Sequence, residues 1–468
     1  MSESRVSFSH YALLVGLPVV LVLAMIKVGT FTLPVIPALA DVFPEVARSA
    51  PATTQRGFTL GLLVGQLVVV LLAAQAFGWI ARRLGQPTVV GEMVAGIVLG
   101  PSVIGALQPQ WTAALFPAGS LGFLNALSQL GVLLFLFVVG LHVDLRSLRG
   151  QSGTAVIASH ASIAAPFTLG VLLAFWLFPR FSPAGVPFAA FALFVGVAMS
   201  ITAFPVLARI LEERGMLSTP LGALAIACAA VDDVTAWILL AVVVALVQAG
   251  GVDFTLAVTL FGTAAFVLAM FYVMRPMLQR LTRTRVIGQR VSSATMAVIM
   301  IVVLLAAFAT ELLGIHALFG AFVAGAVMPR DNGFNDQVAD QLSDLLVVLL
   351  LPLFFAYTGL RTHFDLLGGF EDLIFLGAIL AVAIGGKVFG TAIAARAGGQ
   401  PWREATVLGL LMNTRGLMEL VVLNIGLDLG VLSPRLFAMM VIMALVTTAM
   451  TVPAIAVYDR WRRPLAAG

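Results

Sequence analysis

Charged side chains are scarce in this 468-residue sequence. Asp, Glu, Lys and Arg together make up only 10% of the residues, against roughly 25% in a typical soluble domain. Hydrophobic residues account for 61%, and the mean hydropathy is +1.08. The composition therefore excludes an ordinary soluble domain and predicts a polytopic membrane protein. The formal net charge of +4 is small and scattered, so no nucleic-acid partner is expected.

Features that would indicate an enzyme or a redox protein are also missing. The single cysteine, Cys228, excludes an internal disulfide and a thiolate metal cluster. No histidine pair has metal-ligand spacing, and His160 is more typical of a packed core histidine than of a ligand. No glycine-rich nucleotide fingerprint stands between a strand and a helix. No loop exceeds about 30 residues, which is too short for a cytosolic domain of ~100 residues. We therefore expect no enzymatic activity, no cofactor and no resident metal.

Apolar runs of about 20 residues, each sufficient for one transmembrane helix, are abundant. The first, Tyr11–Val28, could also belong to a signal peptide cleaved near Ala40. Such a signal peptide would be longer than the ~15–30 residues that are typical, so a retained helix is favoured. The other predicted spans are Phe58–Ile80, Val89–Ile104, Ser120–Leu141, Gly153–Phe178, Val186–Leu211, Leu217–Val247, Thr255–Met274, Val291–Leu313, Ile315–Met328, Leu345–Leu360, Leu373–Arg396, Ala405–Leu427 and Leu436–Tyr458. The sequence thus predicts an all-α protein with about 13–14 transmembrane helices.

This count divides the chain into three parts and orients it. Residues 1–57 form an extra N-terminal helix and loop, residues 58–460 the membrane domain, and residues 461–468 a short tail. Basic residues should gather on the cytoplasmic side, and roughly 18 lie on one side of the count against about six on the other. The clusters on that richer side are Arg82/Arg83, Arg146/Arg149, Arg275/Arg280/Arg283/Arg285/Arg290 and Arg460/Arg462/Arg463. Both termini are therefore predicted to be cytoplasmic.

Two adjacent carboxylates, Asp232 and Asp233, interrupt the apolar run from Leu221 to Val247. An ionised carboxylate at mid-membrane costs at least ~2.5–3.5 kcal/mol, and intramembrane acids usually face a pathway. Successive helical residues point about 100° apart, so one acid can be paired while the other faces an aqueous cavity. The pair predicts a cation-binding site. The alternative is a static cluster of buried ion pairs and hydrogen bonds.

Two spans are poor continuous helices. One contains Ser200-Ile201-Thr202-Ala203-Phe204-Pro205, and the other contains Asn413-Thr414-Arg415-Gly416. Proline removes a backbone donor and disfavours helix in the preceding residue. Paired interruptions of this kind indicate a midplane ion site in an inverted-repeat transporter, although a simple proline kink is the alternative for Pro205. Lys387 and Arg415 also lie within spans, where a cation needs a partner.

From Val89 onward the chain resembles the second branch of the monovalent cation:proton antiporter superfamily, which includes bacterial sodium/proton antiporters, potassium efflux systems and plant cation/proton exchangers. The matching runs are Gly91-Glu92, Leu99-Gly100-Pro101-Ser102, Phe137-Val138-Val139-Gly140-Leu141, Ser200 to Pro205, Asp232-Asp233 with Thr235-Ala236-Trp237, Gly386-Lys387 and Met412 to Gly416. Each run alone is a weak signal, but their order and spacing are specific. Two features depart from the family pattern: the regulatory domain of the potassium efflux members is absent, and many plant-type members have Asn at the position of Asp232.

The resemblance implies inverted repeats with two crossing discontinuous helices, and a core domain that moves against a dimerisation domain. It implies a homodimer in the bilayer, here in a bacterial inner membrane, that exchanges Na⁺ or K⁺ for protons by alternating access. Asp233 would accept the cation and the proton, Asp232 would pair with Lys387, and Thr202 would supply a neutral ligand. The supporting residues around the broken helices would be Ser200, Pro205, Asn413, Thr414, Arg415 and Glu419. Arg415 and Glu419 stand at i and i+4, so they can also pair on one helix face.

Two other classes of function remain as alternatives. A cation channel would need a continuous pore with a filter, and no filter-like run is present in the sequence. A proton- or sodium-coupled organic solute carrier could also have broken helices, but it would lack Lys387 opposite Asp232. The sequence does not choose between sodium and potassium as the transported cation, since selectivity depends on cavity size and ligand number. Asp232, as a second titratable group, favours electrogenic exchange over one-for-one exchange.

Overall fold

The computed structural model describes residues 12–32, 60–142, 153–213, 216, 219–248, 254–282, 291–329 and 333–462. These residues form α-helices joined by short turns, with no β-strand among them. The helices in chain order are α1 Leu17–Thr32, α2 Leu60–Arg83, α3 Thr88–Leu99, α4 Ile104–Leu107, α5 Pro109–Leu115, α6 Ala118–His142, α7 Gly153–Phe181, α8 Phe188–Ser200, α9 Phe204–Glu213, α10 Pro220–Gln248, α11 Phe254–Ala269, α12 Arg275–Thr282, α13 Ser293–Leu312, α14 Ala317–Ala326, α15 Phe334–Leu345, α16 Leu351–Leu360, α17 Phe370–Ala397, α18 Trp402–Met412, α19 Leu417–Asp428 and α20 Pro434–Arg462.

Ten helical stretches in this described part are long and apolar enough to cross a membrane, and three shorter apolar helices accompany them. The interrupted pair α18 and α19 makes a fourteenth crossing. The protein is therefore a multi-pass integral membrane protein, and the predicted all-α fold with 13–14 spans is confirmed. Apolar side chains such as Phe308 and Leu312 of α13 are mostly exposed, as expected for helix faces that meet lipid.

Several predicted boundaries differ from the observed helices. The span predicted to start at Leu345 begins eleven residues earlier, at Phe334, and continues through a π-helical turn over Leu346–Leu350. Its first turns are amphipathic rather than uniformly apolar, so a search for apolar runs misses them. The third span ends at Leu99 instead of Ile104, because the Gly100-Pro101 sequence stops α3 before the short helices α4 and α5.

Helix packing places most of the described helices in two groups, which we call the core pack and the scaffold pack. The core pack contains α1, α7, α8, α9, α10, α17, α18, α19 and α20, and the scaffold pack contains α2, α3, α6, α13, α14, α15 and α16. Contacts within each group are extensive, whereas those between the groups are smaller, such as α16 with α19. The predicted division into a core and a dimerisation domain is compatible with this packing and stays a prediction.

The core pack contains two three-span units with the same arrangement. In each, a continuous helix is followed by an interrupted one and then by another continuous helix: α7, α8–α9, α10 in the first unit and α17, α18–α19, α20 in the second. Corresponding spans are seven positions apart in the order of crossings, and an odd offset reverses their direction in the membrane. The units are therefore related as inverted repeats, as the sequence predicted.

Some sequence expectations fall outside the described residues. These are most of the proline-rich loop after α1, the end of the tail after Arg462, and the basic residues Arg146, Arg149, Arg283, Arg285, Arg290 and Arg463. The first predicted span does form a helix, α1, which packs against α7 and α8. Its retention in the mature protein stays a prediction.

Candidate functional site

The two interrupted helices cross at their breaks, where a backbone hydrogen bond joins them. Helix α8 ends at Ser200 and α9 starts at Phe204, while α18 ends at Met412 and α19 starts at Leu417. At the crossing the Ala203 N–H donates to the carbonyl of Thr414 over 2.9 Å. A proline kink within one helix does not describe this break, because Pro205 lies in the first turn of α9, where a missing N–H costs little. Irregular backbone at this depth is stabilised because the opposite break supplies its partners.

A buried ion pair lies beside the crossing. Lys387 of α17 donates to Asp232 Oδ2 over 2.8 Å, and both side chains are fully buried. The ammonium also donates to the hydroxyls of Thr202, over 2.6 Å, and Ser162, over 3.0 Å. Thr202 in turn donates to the Met412 carbonyl of the other interrupted helix over 2.9 Å. Lys387 therefore has three oxygen partners from α7, α10 and the α8–α9 break, which fixes these elements to one another.

Close approach of α7 and α17 explains how Ser162 reaches Lys387. A Cβ added to Gly386 would lie 2.7 Å from Pro166 Cα, so only glycine permits this helix spacing. Ser162 was not among the predicted site residues. It belongs to no recognisable motif, so the sequence alone offered no signal for it beyond its presence in a span.

Asp233 differs from its neighbour in having no side-chain hydrogen-bond partner among the described residues. Its side chain is 2% exposed, and neither carboxylate oxygen has a hydrogen-bond partner among the described residues. It lies near the backbone amide of Phe204 at the start of α9. The first amides of a helix carry partial positive charge and favour an anion. Asp233 is thus a buried carboxylate, able to act as an oxygen ligand, held beside the N-terminus of the second half-helix and without a side-chain partner in the described residues.

The predicted Arg415–Glu419 pair is present at the same crossing, and both side chains are fully buried. Arg415 donates to Glu419 Oε2 over 2.8 Å and to the carbonyls of Ala198 and Met199 over 2.8 and 2.6 Å. These carbonyls belong to the last turn of α8, where a helix has unsatisfied acceptors and partial negative charge. Arg415 therefore neutralises the C-terminal end of the first half-helix.

The remaining predicted residues lie around the crossing with mostly local bonds. Ser200 donates to the Val197 carbonyl of its own helix over 2.8 Å. Thr414 donates to the Leu411 carbonyl and lies 3.1 Å from the Thr451 hydroxyl of α20. The Asn413 amide donates to Met450 Sδ over 3.4 Å, and its buried carbonyl oxygen has no partner in the described part of the chain. Asn413 therefore has a free oxygen, whereas Ser200 and Thr414 mainly support backbone.

Comparison with known proteins agrees with this geometry. Residues 67–458 match the family described as sodium/hydrogen exchanger, transmembrane, and the chain belongs to that family. It is 41% identical over 398 residues to Na(+)/H(+) antiporter NhaS4 of Synechocystis, which covers 85% of this chain and 97% of that one. It is 40% identical over 407 residues to Cation/H(+) antiporter 18 of Arabidopsis thaliana, covering 87% of this chain but only 50% of the plant protein.

A solved structure supports the fold independently. The sodium proton antiporter MjNhaP1 from Methanocaldococcus jannaschii matches with a TM-score of 0.64, over 86% of this chain and 97% of that one. The sequences are only 13% identical, so this similarity concerns the fold. Together with the family match it confirms the resemblance stated from the sequence motifs. The family is one of transporters and not of enzymes.

Proposed function

We propose that the protein is a secondary antiporter that exchanges Na⁺ or K⁺ for protons, with Asp233 as the shared carrier. The observation that supports this most directly is the buried Asp233 carboxylate without a hydrogen-bond partner in the described residues. Burying an ionised carboxylate costs free energy unless a cation or a proton binds to it. Membership of the sodium/hydrogen exchanger family supports the same reaction.

Competition for one carboxylate accounts for exchange. Hard cations prefer oxygen ligands, and a carboxylate can accept a proton at the same oxygens. Asp233 then carries a cation in one direction and a proton in the other. Asp232 is tied to Lys387, so Asp233 is left as the free carboxylate of the pair. The free Asn413 oxygen and backbone carbonyls at the crossing are candidates for neutral ligands.

Transport into proteoliposomes tests this proposal, with proton movement followed by a pH-sensitive dye and each alkali cation supplied in turn. The wild type should exchange Na⁺ or K⁺ for protons. The Asp233→Asn variant should remain folded, but its exchange rate should be at least ~100-fold lower. The matched control is Asp344→Asn, which changes an exposed aspartate of α15 and should transport normally. Wild-type exchange by Asp233→Asn would refute the role of Asp233.

The same measurement separates the other classes. Conductance without saturation by the cation would indicate a channel, and competition by organic anions or cations would indicate a solute carrier. Saturable exchange that no organic solute inhibits supports the antiporter.

Three further proposals concern its setting. The side carrying Arg82, Arg83 and the arginines of α12 is proposed to be cytoplasmic, with both ends of the chain on that side. A bacterial inner membrane is proposed from the family resemblance. A homodimer is proposed from the family resemblance. Cross-linking in native membranes would test the dimer, and protease access to tags at each end would test the orientation.

A further inference from the structure

A cluster of polar side chains joins the core pack to the scaffold pack at one end of the helices. Arg361, at the end of α16 in the scaffold pack, donates to Asn424 Oδ1 over 3.1 Å and to Asp428 Oδ1 over 2.6 Å. Both acceptors belong to α19 of the core pack. Asn424 in turn donates to the Thr358 hydroxyl of α16 over 2.8 Å. We call these four residues the latch.

The latch bonds depend on the two packs being in contact. Asp428 is the last residue of α19, and a carboxylate next to the C-terminal carbonyls of a helix is unfavourable on its own. The guanidinium of Arg361 compensates both the carboxylate and the helix end. Asn424 is 2% exposed, so its amide needs a partner when the packs are closed. Separation of α16 from α19 would expose Asp428 and the Asn424 carbonyl oxygen to water, while the Asn424 amide would keep only its bond to the Leu420 carbonyl of its own helix, at 2.9 Å.

An apolar contact between the packs lies deeper, next to the acid pair. Trp237 of α10 stacks on Phe322 of α14, with ring centroids 6.2 Å apart and planes at 26°. Both residues are buried. Trp237 is four residues beyond Asp233, so it lies on the same face of α10, about one turn further along. The contact therefore lies over Asp233 on that side.

The latch and this aromatic contact lie towards the same membrane face. The spans that contain α10, α16 and α19 are the seventh, eleventh and thirteenth, and odd-numbered spans run in one direction. Trp237, Arg361 and Asp428 each follow mid-membrane in their span, so they lie towards the face opposite the arginine clusters.

The opposite end of the core pack is open. A cavity of about 320 Å³ lies where α7, α10 and α18 begin, lined by Ala155, Pro220, Leu221, Ala223, Leu224, Ala227, Gln400 and Glu404. Ala227 is five residues before Asp232, which is about 7.5 Å along a helix. The cavity therefore ends about 7.5 Å of helix before Asp232, whereas the two contacts between the packs lie on the other side of the acid pair.

We propose that the latch is a conformational lock between the packs: it holds closed the face opposite the arginine clusters, and it must open for Asp233 to be reached from that face. The inference rests on the proposed function for its role in transport. The lock itself depends only on the contact between α16 and α19, so it can be tested without measuring transport.

Thiol labelling of the purified, detergent-solubilised protein gives that test. Replacing the only cysteine by Cys228→Ala and adding Leu420→Cys places a reporter one turn below Asn424, where the wild-type leucine is fully buried. Arg361→Gln should raise the labelling rate roughly threefold to tenfold, the range expected for a partly exposed charged pair with one further polar bond. Asp428→Asn, a smaller change at the exposed end of the pair, should act in the same direction. The charge exchange Arg361→Asp with Asp428→Arg should restore slow labelling.

The matched control is Arg180→Gln. Arg180 pairs with Glu371 over 3.1 Å, but both residues belong to the core pack, in α7 and α17. Its removal should leave the labelling rate unchanged. Equal rates in wild type and both latch variants would overturn the proposal, and so would an equal increase in the control, since that would indicate general loosening. If the wild type transports no cation while the latch variants still label faster, the proposed function fails and the lock stands.

Discussion

Loss of Lys387 should destabilise the protein severely, because its partner would remain buried without compensation. Lys387 and Asp232 are both fully buried and lie 2.8 Å apart. In Lys387→Met the carboxylate would keep the Ser162 hydroxyl, at 3.5 Å, which is a weak hydrogen bond, and the neighbouring Thr202 hydroxyl, neither of which carries a compensating charge. Thr202 and Ser162 would also lose the ammonium that each now accepts from. Breaking one partner of a buried pair costs about 3–5 kcal/mol.

Unfolding by SDS in mixed micelles measures this loss, with helical circular dichroism as the signal. The double variant Lys387→Met with Asp232→Asn should recover most of the stability, because replacing both charges by neutral groups leaves no unpaired ion. That recovery separates an electrostatic effect from a packing effect, since the double variant keeps the altered side chain at position 387.

An exposed ion pair supplies the control. The side chains of Arg180 and Glu371 are 49% and 69% exposed, so Arg180→Gln should change stability by only about 0–1 kcal/mol. Wild-type stability of Lys387→Met would refute the reasoning. So would a double variant no more stable than Lys387→Met, because the loss would then come from packing.

Two other predictions concern the charges at the crossing. Arg415→Lys keeps the charge but not the planar fork that contacts Ala198, Met199 and Glu419, so it should lose about 2–4 kcal/mol in the same unfolding assay; unchanged stability would contradict the capping role. Exchange should also respond to membrane potential, worth ~2.3 kcal/mol per charge per 100 mV, if Asp232 or Lys387 releases a second proton when the cation binds. Vesicles with a fixed cation gradient and an ionophore-clamped potential measure this, and rates independent of the clamp would mean one-for-one exchange.

Most of the fold could be predicted from the sequence because the membrane makes local composition decisive. A helix that must satisfy its own backbone in lipid needs an apolar run of suitable length, and such runs are visible without tertiary information. The predicted helix boundaries were wrong where a helix does not begin with an apolar run. Helix α15 begins with polar residues such as Asn335, whose amide donates to the Leu141 carbonyl of α6, so its start depends on a long-range contact. The division into two packs also depends on contacts between distant segments.

The candidate site was predictable to the extent that it violates the rules of membrane composition. Asp232, Asp233, Lys387 and Arg415 stood out because charges in apolar spans are expensive, and the breaks near Thr202 and Thr414 stood out because they are poor helices. Ser162 could not be found in this way, since a serine in a span costs little and its importance comes from lying 3.0 Å from Lys387. The latch residues were invisible for the opposite reason. Arg361 and Asp428 lie at span ends, where charges are ordinary, and only the packing of α16 against α19 makes them partners.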